Sequence, residues 1–325
     1  MAIEPRSRFD WAGRIGRRIR LRDLHVLMAV VQWGSMARAA EHLAVSQPVI
    51  SKTIAELEHT LGVRLLDRDR HGAVPTVYGE ALLKRSVAAF EELRQGVKDI
   101  DFLLDATGGE LRIAAADPIA SGLIPAIIES LSLRHPGITY HVTGGASVLE
   151  QQIIALRDRR IDLIIGRLPH VVAEPDLRVD ILGDEPSLVA AGAENPWVGR
   201  RRIKLADLVE EHWVLPAAES FVGSLIAELF HASGHALPRK AVYCTSIQMN
   251  NALLATGRYL AFYPGSVLRF HSERLALKVL DVELSVPSTP LGIISLRART
   301  LPPVATLFVE CAHEIAAAAV SARKC

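Results

Sequence analysis

A short segment near the N-terminus carries polar and cationic side chains on one side of an amphipathic helix. Its apolar residues, Ile50, Ile54, Leu57 and Leu61, recur at the spacing of a buried helix stripe. The positions left on the outer side near its beginning are Gln47, Pro48, Ser51 and Lys52. Side chains of these types reach base edges and phosphates when a helix enters the major groove of DNA. The segment therefore predicts a DNA-contacting helix.

Two short helices joined by a tight turn are predicted to position this surface. Ser35 is placed to cap a helix over about Met36–Leu43, whose small alanines let another helix cross at close range. After a turn, Ser46 is placed to cap the DNA-contacting helix, and Gly62 ends it. The sequence therefore predicts a helix-turn-helix over about residues 36–55.

A basic hairpin, or wing, is predicted to follow the second helix. His71-Gly72 lies between two short extended pieces, and the surrounding arginines would then lie near the DNA backbone. Any one of these cations alone would equally suit a solvated surface, so only the combination of elements favours DNA. The candidate DNA contacts are Arg38, Ser46, Gln47, Pro48, Ser51, Lys52, Arg64, Arg68 and Arg70.

The charge of the chain is distributed unevenly. Residues 1–85 hold 14 basic against 9 acidic residues, whereas residues 111–325 hold 21 of each. This asymmetry favours a polyanionic partner for the N-terminal end only, although a solvated basic face is the alternative. The three cysteines form no metal or redox pattern, and no secretory signal or membrane-spanning run is present. We therefore expect a cytoplasmic protein without a membrane partner.

The residues from Gly34 to Ser51 (GSMARAAEHLAVSQPVIS) resemble the helix-turn-helix signature of the LysR family of transcriptional regulators. The resemblance continues in Leu57-Glu58, Leu61-Gly62 and Leu65-Leu66-Asp67-Arg68. It implies a sequence-specific DNA-binding regulator whose winged helix-turn-helix domain covers residues 19–79. It also implies an effector-binding domain similar to type 2 periplasmic binding proteins, and an assembly of dimers into a homotetramer.

A long linker helix is predicted over residues 76–106, because Thr76 can cap it and Thr107 with two glycines can end it. Its apolar residues repeat at heptad spacing and are Leu83, Phe90, Leu93, Val97, Ile100 and Leu104. Such a stripe is typical of a short coiled-coil seam, so we expect a homodimer. A helix packed on its own domain is the alternative. Two helix-turn-helix modules in one dimer predict a roughly palindromic promoter site.

From residue 111 to 320, short apolar runs alternate with helical segments, which predicts an α/β domain with parallel strands. The strands are too numerous for one small sheet and suggest two lobes. The resemblance implies that the chain crosses between the lobes twice, and we place the crossings near Gly166–Pro169 and Val267–Leu275. Lobe I then covers about 111–168 and 272–320, and lobe II about 169–271.

Parallel sheets bind ligands outside the carboxyl ends of their strands, so the candidate effector contacts are taken from these positions. In lobe I they are Asp117, Pro118, Thr143, Gly144, Gly145, Ser147 and Arg167. Across the cleft they are Ser220, Phe221 and Ser246. Arg167 is the candidate partner for an anion, with a surface salt bridge as the alternative. The glycines and serines would equally serve as turn and cap residues.

Other classes of protein fit the sequence less well. An enzyme is disfavoured because no phosphate-binding loop, nucleophile elbow or zinc-protease helix is present. A secreted solute-binding protein is disfavoured by the DNA-binding module, and another regulator class by the Ser46-Gln47-Pro48 segment. No metal and no cofactor are expected. The predicted partners are double-stranded DNA, a second copy of the chain and a small metabolite co-inducer of unknown identity, and RNA polymerase is a further candidate.

Overall fold

The computed structural model describes residues 18–69, 72–104, 108–115, 117–144, 149–168, 174–273, 275–284 and 289–321. The chain forms two compact units, one ending at Val97 and the other beginning at Lys98. The division falls within the linker helix. Each unit has its own hydrophobic core.

Three helices form the core of the N-terminal unit: α1 (Leu21–Trp33), α2 (Met36–His42) and α3 (Gln47–Leu61). Gly34 adopts φ of 67° at the end of α1, and the Ser35 side chain accepts a hydrogen bond from the Arg38 backbone N–H at 3.1 Å. The predicted cap of α2 is therefore confirmed. Ala39 and Ala40 are buried against the neighbouring helices, which their small size permits.

The apolar stripe of α3 faces this core as predicted, with Ile50, Ile54 and Leu57 buried and Leu61 partly buried. Gly62 ends the helix in the left-handed conformation, with φ of 67°. Ser46 occupies the N-cap position, but its side chain accepts no capping hydrogen bond. This leaves the Ser46 hydroxyl exposed beside the first turn of the helix.

A β-hairpin follows α3, which confirms the predicted wing. Strands β1 (Leu66–Asp69) and β2 (Gly72–Pro75) pair in antiparallel register. The Ala73 N–H donates to the Gly34 carbonyl at 2.9 Å, so the wing is held against the end of α1. Gly72 has φ of 143°, and a Cβ atom there would collide with the Gly34 oxygen. Only glycine suits this close approach.

The linker helix α4 extends over Val77–Leu104. Thr76 begins it as predicted, because its hydroxyl accepts from the Gly79 N–H at 3.1 Å and donates to the Arg64 carbonyl at 2.7 Å. The second bond joins the start of the helix to the chain entering the wing. Residues 105 and 106, which the sequence also assigned to this helix, lie outside the described residues.

The first sheet of the C-terminal unit has the strand order β4-β3-β5-β14-β6. Its elements are β3 (Gly108–Ala115), α5 (Asp117–Arg134), β4 (Gly137–Thr143), α6 (Leu149–Arg157), β5 (Leu163–Arg167), β6 (Leu177–Glu185), β14 (Thr289–Leu296) and α10 (Pro303–Ser321). Helices α5 and α10 pack on this sheet through a core that includes Ile127 and Phe308.

The second sheet has the strand order β10-β9-β11-β7-β12. The elements of this lobe are β7 (Ser187–Gly192), β8 (Ile203–Lys204), β9 (His212–Leu215), α7 (Phe221–Ala232), β10 (Ala241–Tyr243), α8 (Ile247–Ala255), β11 (Tyr259–Pro264), α9 (Gly265–His271), β12 (Leu277–Val279) and β13 (Val282–Glu283). Strands β8 and β13 pair with each other and form a separate two-stranded sheet. Trp213 and Phe230 are fully buried at the centre of the lobe.

Two features of the predicted α/β domain were wrong. The sheets are mixed rather than parallel, because β14 and β6 in the first sheet and β7 and β12 in the second pair antiparallel with their neighbours.

The crossings between the lobes also differ from the predicted positions. Strand β6 belongs to the first sheet, so the chain first crosses at Pro186, and it returns between β13 and β14 rather than near Val267–Leu275. Sequence periodicity identifies a strand but does not identify its neighbours.

Candidate nucleic-acid interface and effector cleft

The outer side of α3 presents the predicted DNA-contacting side chains to solvent. Gln47, Pro48 and Lys52 are exposed and Ser51 is half-buried, while Ile50 and Ile54 fill the core behind them. Lys52 lies 3.9 Å from the exposed Glu56 carboxylate one turn later. An exposed pair of this kind contributes little free energy, so the ammonium remains available to a phosphate.

The other predicted contacts surround this surface. Arg38 on α2, Ser46 before α3 and Arg64 before the wing are all exposed. Arg68 lies on β1 and is exposed as well. Arg70 lies outside the described residues. The elements around α3 thus carry polar and basic groups on exposed surface.

Glu58 fixes the wing to helix α3, a role that no sequence pattern indicated. Its Oε1 atom accepts from the backbone N–H groups of Leu65 and Leu66 at 2.8 and 3.2 Å, and Oε2 pairs with the Arg68 guanidinium at 3.4 Å. A carboxylate that holds two backbone donors defines the position of the chain more strongly than a single surface ion pair does. Arg68 therefore also helps to position the wing.

The predicted seam along α4 divides into two parts. Leu83 packs against the core of the N-terminal unit, and the Phe90 ring lies 5.6 Å from that of His25. Leu83 and Phe90 therefore pack on their own N-terminal unit, which was the alternative to a coiled-coil seam. The remaining seam residues are at least half exposed and are Leu93, Val97, Ile100 and Leu104.

The candidate effector residues of lobe I follow strand ends as predicted. Asp117 and Pro118 begin α5 after β3, and Thr143 and Gly144 are exposed at the end of β4. Gly145 and Ser147 lie outside the described residues. Arg167 ends β5, which is the third strand that contributes its carboxyl end to this edge.

Arg167 is a partly buried cation whose hydrogen-bond partners are neutral groups. Its two Nη atoms donate at 3.0 Å to the Ser187 hydroxyl and to the Pro186 carbonyl at the first crossing between the sheets. Its Nε atom is buried and has no hydrogen-bond partner within the described residues. Burial lowers the pKa of the guanidinium, and the nearby Glu185 carboxylate opposes this shift. This environment would favour an added anion.

The two candidate serines of the second lobe act as helix caps. The Ser220 hydroxyl accepts from the Gly223 N–H at 3.0 Å and donates to the Ala217 carbonyl at 2.7 Å, so the alternative role of this residue as a cap is confirmed. Ser246 accepts from the Met249 N–H at 3.4 Å. Phe221, in contrast, begins α7 with an exposed ring.

The structure adds a contact between the lobes that no sequence pattern indicated. Glu185, only 3% exposed, accepts from the Ser266 N–H at 2.9 Å, and so joins the end of β6 to α9. A Cβ atom on Gly122 of α5 would lie 2.8 Å from the Ser266 hydroxyl. The two helices therefore meet at close range beside the crossing at Pro186.

Glu110 joins the end of the linker helix to the first sheet. Its carboxylate contacts Lys98 of α4 at 2.5 Å, Arg112 of β3 at 2.9 Å and His141 of β4 at 2.9 Å. The hydrogen bond from Lys98, followed by that from Arg112, lowers the pKa of Glu110 from 4.5 to about 2, although burial acts in the opposite direction.

This shift predicts a pH-dependent stability. Because the folded state lowers the pKa of Glu110, its contribution is complete above pH of about 4.5 and is lost as the pH falls towards about 2. We expect Glu110→Gln to lower the Tm at neutral pH, and the difference from wild type to close over that window. Thermal unfolding of both proteins across the pH range measures this. The exposed Glu129→Gln is the control, and a constant difference for Glu110→Gln would contradict the prediction.

Neither a membrane span nor a metal cluster occurs in the described part of the chain. Among the described helices, none combines the length and the apolar composition that a membrane-spanning segment requires. Nor do any three or more of the described His, Cys, Asp or Glu side chains form a group that could hold a metal ion.

The solved structures with the same architecture include full-length regulators. CbnR, a LysR family transcriptional regulator, matches with a TM-score of 0.52 at 24% identity over 90% of this chain and 100% of its own. CbnR complexed with its target DNA matches with the same TM-score over 92% of this chain. Full-length OxyR from Pseudomonas aeruginosa matches with a TM-score of 0.59 at 22% identity, over 90% of this chain and 94% of its own. At these identities the likeness establishes the fold.

Sequence comparisons establish the family. GbpR, an HTH-type transcriptional regulator of Azospirillum brasilense, is 28% identical over 289 residues, which cover 88% of this chain and 83% of GbpR. PcaQ of Agrobacterium fabrum is 29% identical over 290 residues, covering 89% and 92%. Residues 21–80 match the bacterial regulatory helix-turn-helix of the lysR family, and residues 105–317 match the LysR substrate binding domain. The chain therefore belongs to the LysR family of DNA-binding transcriptional regulators, which carry an effector-binding domain and are not enzymes.

Proposed function

We propose that this regulator reads a roughly palindromic promoter site with two copies of its helix-turn-helix. The observation that carries the proposal is the exposed outer side of α3, where Gln47, Ser51 and Lys52 lie over a buried apolar stripe. Glu58 holds the wing in a fixed position beside it. Gln47 and Ser51 have the chemistry to contact base edges, whereas Lys52, Arg38 and Arg64 suit phosphates.

The experiment first selects a binding site from random duplexes with the full-length protein. The association constant K for DNA falls as salt rises, so the slope of log K against log salt is negative. Lys52→Ala is expected to make this slope less steep by about 0.9, because the variant neutralises one phosphate fewer. Ser51→Ala is expected to relax base preference at one position with an unchanged slope. Lys278→Ala, an exposed cation of the C-terminal unit, is the control for net charge. An unaltered slope for Lys52→Ala would remove this residue from the interface.

We infer that the second copy of the helix-turn-helix comes from a second chain, which pairs with the first through α4. Four exposed residues of this helix have the heptad spacing of a two-stranded seam, namely Leu93, Val97, Ile100 and Leu104. The helix follows directly on the DNA-binding module. We infer domains over residues 19–79 and 111–320 joined by this helix at 76–106. A homodimer, and by family resemblance a homotetramer, would present the modules at spaced half-sites to DNA and to RNA polymerase.

The effector is proposed to be a small anionic metabolite bound between the lobes. Arg167 supports this, because it is a partly buried residue at the end of β5 whose buried Nε atom has no partner and whose guanidinium makes no hydrogen bond to a carboxylate in the described residues. Binding would close the lobes around Pro186 and alter DNA bending and polymerase access. Footprinting with increasing metabolite tests this step, since a bound ligand with an unchanged footprint would contradict it.

A further inference from the structure

The second lobe carries a run of three exposed arginines, Arg200, Arg201 and Arg202, in the loop between β7 and β8. We call this segment the arginine turn. Over the whole of residues 111–325 basic and acidic residues balance, so such a run is a local concentration of positive charge.

The loop that presents these arginines is anchored in the lobe. Asn195 is only 4% exposed, and its side chain donates to the Gly257 carbonyl at 3.0 Å and accepts from the Trp197 N–H at 3.0 Å. The Trp197 ring packs against the apolar core of this lobe. The arginine turn therefore begins from a fixed position rather than from a loose loop.

Arg200 is held in a defined orientation. Its guanidinium carbon lies 4.4 Å from the centre of the Trp197 ring, and its Nε atom donates to the Pro196 carbonyl at 3.2 Å. A stacked guanidinium with its Nε occupied keeps both Nη groups for an external acceptor. Less side-chain entropy is then lost when an anion binds.

The carboxylates nearest in sequence and register bind the main chain at the turn rather than its guanidinium groups. Asp281 accepts from the backbone N–H of Arg202 at 3.0 Å, and Asp207 accepts from that of Lys204 at 3.1 Å. They position the main chain, and in the described part of the chain none of the three arginine side chains forms an ion pair. Arg157 of the same unit, by contrast, pairs with both Glu174 and Asp176.

We propose that the arginine turn is a second DNA-contacting surface, which binds the phosphate backbone without reading sequence. Guanidinium forks match phosphate oxygens, and DNA, the partner shown for this family, is a polyanion. A lipid surface is disfavoured, because the turn itself has no apolar side chain to insert and Ile203 beside it is only 3% exposed.

The test uses full-length protein and a duplex of about 60 base pairs of arbitrary sequence, because sequence-independent phosphate contacts appear on any DNA. Fluorescence anisotropy at several salt concentrations gives the slope of log K against log salt. The triple variant R200Q/R201Q/R202Q is expected to reduce this slope by about 2 to 3, at about 0.9 for each phosphate that is no longer neutralised. The variant R200K/R201K/R202K keeps the charges and is expected to retain most of the slope.

The matched control is R239Q/K240Q/K278Q, which removes three exposed cations from the same lobe outside the turn. A slope that is unchanged in the arginine-turn variant, or reduced equally in the control, would overturn the proposal and point to another partner, such as an acidic protein. If the triple variant fails to fold, Arg201→Gln alone is expected to reduce the slope by about 0.9. Lys52→Ala reports separately on the helix-turn-helix, so the two proposed DNA-contacting surfaces are tested independently of each other.

Discussion

If α4 pairs as proposed, Val97→Asp is expected to convert the proposed homodimer into a monomer and to abolish tight binding to a palindromic site. Val97 lies in the exposed part of the α4 stripe, where it is 59% exposed in the single chain. In a two-fold seam the side chain would face its own copy, so one substitution places two carboxylates in one apolar interface.

The magnitude follows from the apolar surface that the seam would bury. Each aliphatic side chain removed from water contributes about 1.5 to 3 kcal/mol, and every seam residue occurs twice in a dimer. Burying an unpaired carboxylate costs several kcal/mol more. A loss of about 3 kcal/mol already weakens dimerisation about 100-fold, and DNA binding by paired modules weakens with it.

Sedimentation of wild type and variant across a concentration series measures the dimer dissociation constant. Gln95→Glu provides the matched control, because it adds a carboxylate to the same helix at a heptad position away from the stripe. We expect this control to remain dimeric. A Val97→Asp protein that is still dimeric would show that the seam does not hold the two chains together, and would leave the exposed stripe unexplained.

Arg167→Gln is expected to abolish the response to an anionic effector while leaving DNA binding by the free protein intact. The guanidinium is partly buried at the crossing between the lobes, where it donates to a hydroxyl and a carbonyl and makes no hydrogen bond to a carboxylate among the described residues. Its lowered pKa reflects the unfavourable burial of a charge, which a bound carboxylate would relieve.

The measurement is a thermal-shift series with aliphatic and aromatic carboxylates and with neutral sugars as the comparison. A ligand raises the Tm because it binds the folded and not the unfolded protein. Acids that raise the Tm of wild type are therefore expected to lose this effect in Arg167→Gln, which no longer binds them. Arg167→Lys should restore part of the Tm increase, because the positive charge remains but the planar, two-pronged guanidinium group is absent. Ligands that stabilise wild type and Arg167→Gln equally would exclude this residue from the site.

The helix-turn-helix could be predicted from the sequence because its signals are local. The Ser35 cap, the Gly62 terminus and the stripe through Ile50 and Ile54 each involve residues within about a turn of one another. Such patterns depend little on what packs against them. The same holds for the long linker helix and for most strands that form buried apolar runs.

Strand β6 and the lobe crossings could not be found in this way. The segment Leu177–Glu185 is an edge strand whose burial does not alternate cleanly, so its sequence lacks the apolar run of a central strand. Its neighbour is β14, more than 100 residues later. Only that pairing assigns β6 to the first sheet and moves the first crossing to Pro186.

The DNA-contacting surface shows both contributions. The sequence alone determined that Gln47, Ser51 and Lys52 share the outer side of one helix, because helix periodicity separates them from the apolar stripe. Only the tertiary structure decided that Glu58 would hold the wing beside them, that Leu83 and Phe90 would pack on their own module, and that Arg167 would lie at a crossing. These outcomes depend on groups distant in sequence, whose approach is decided by packing and by the need to satisfy buried polar atoms.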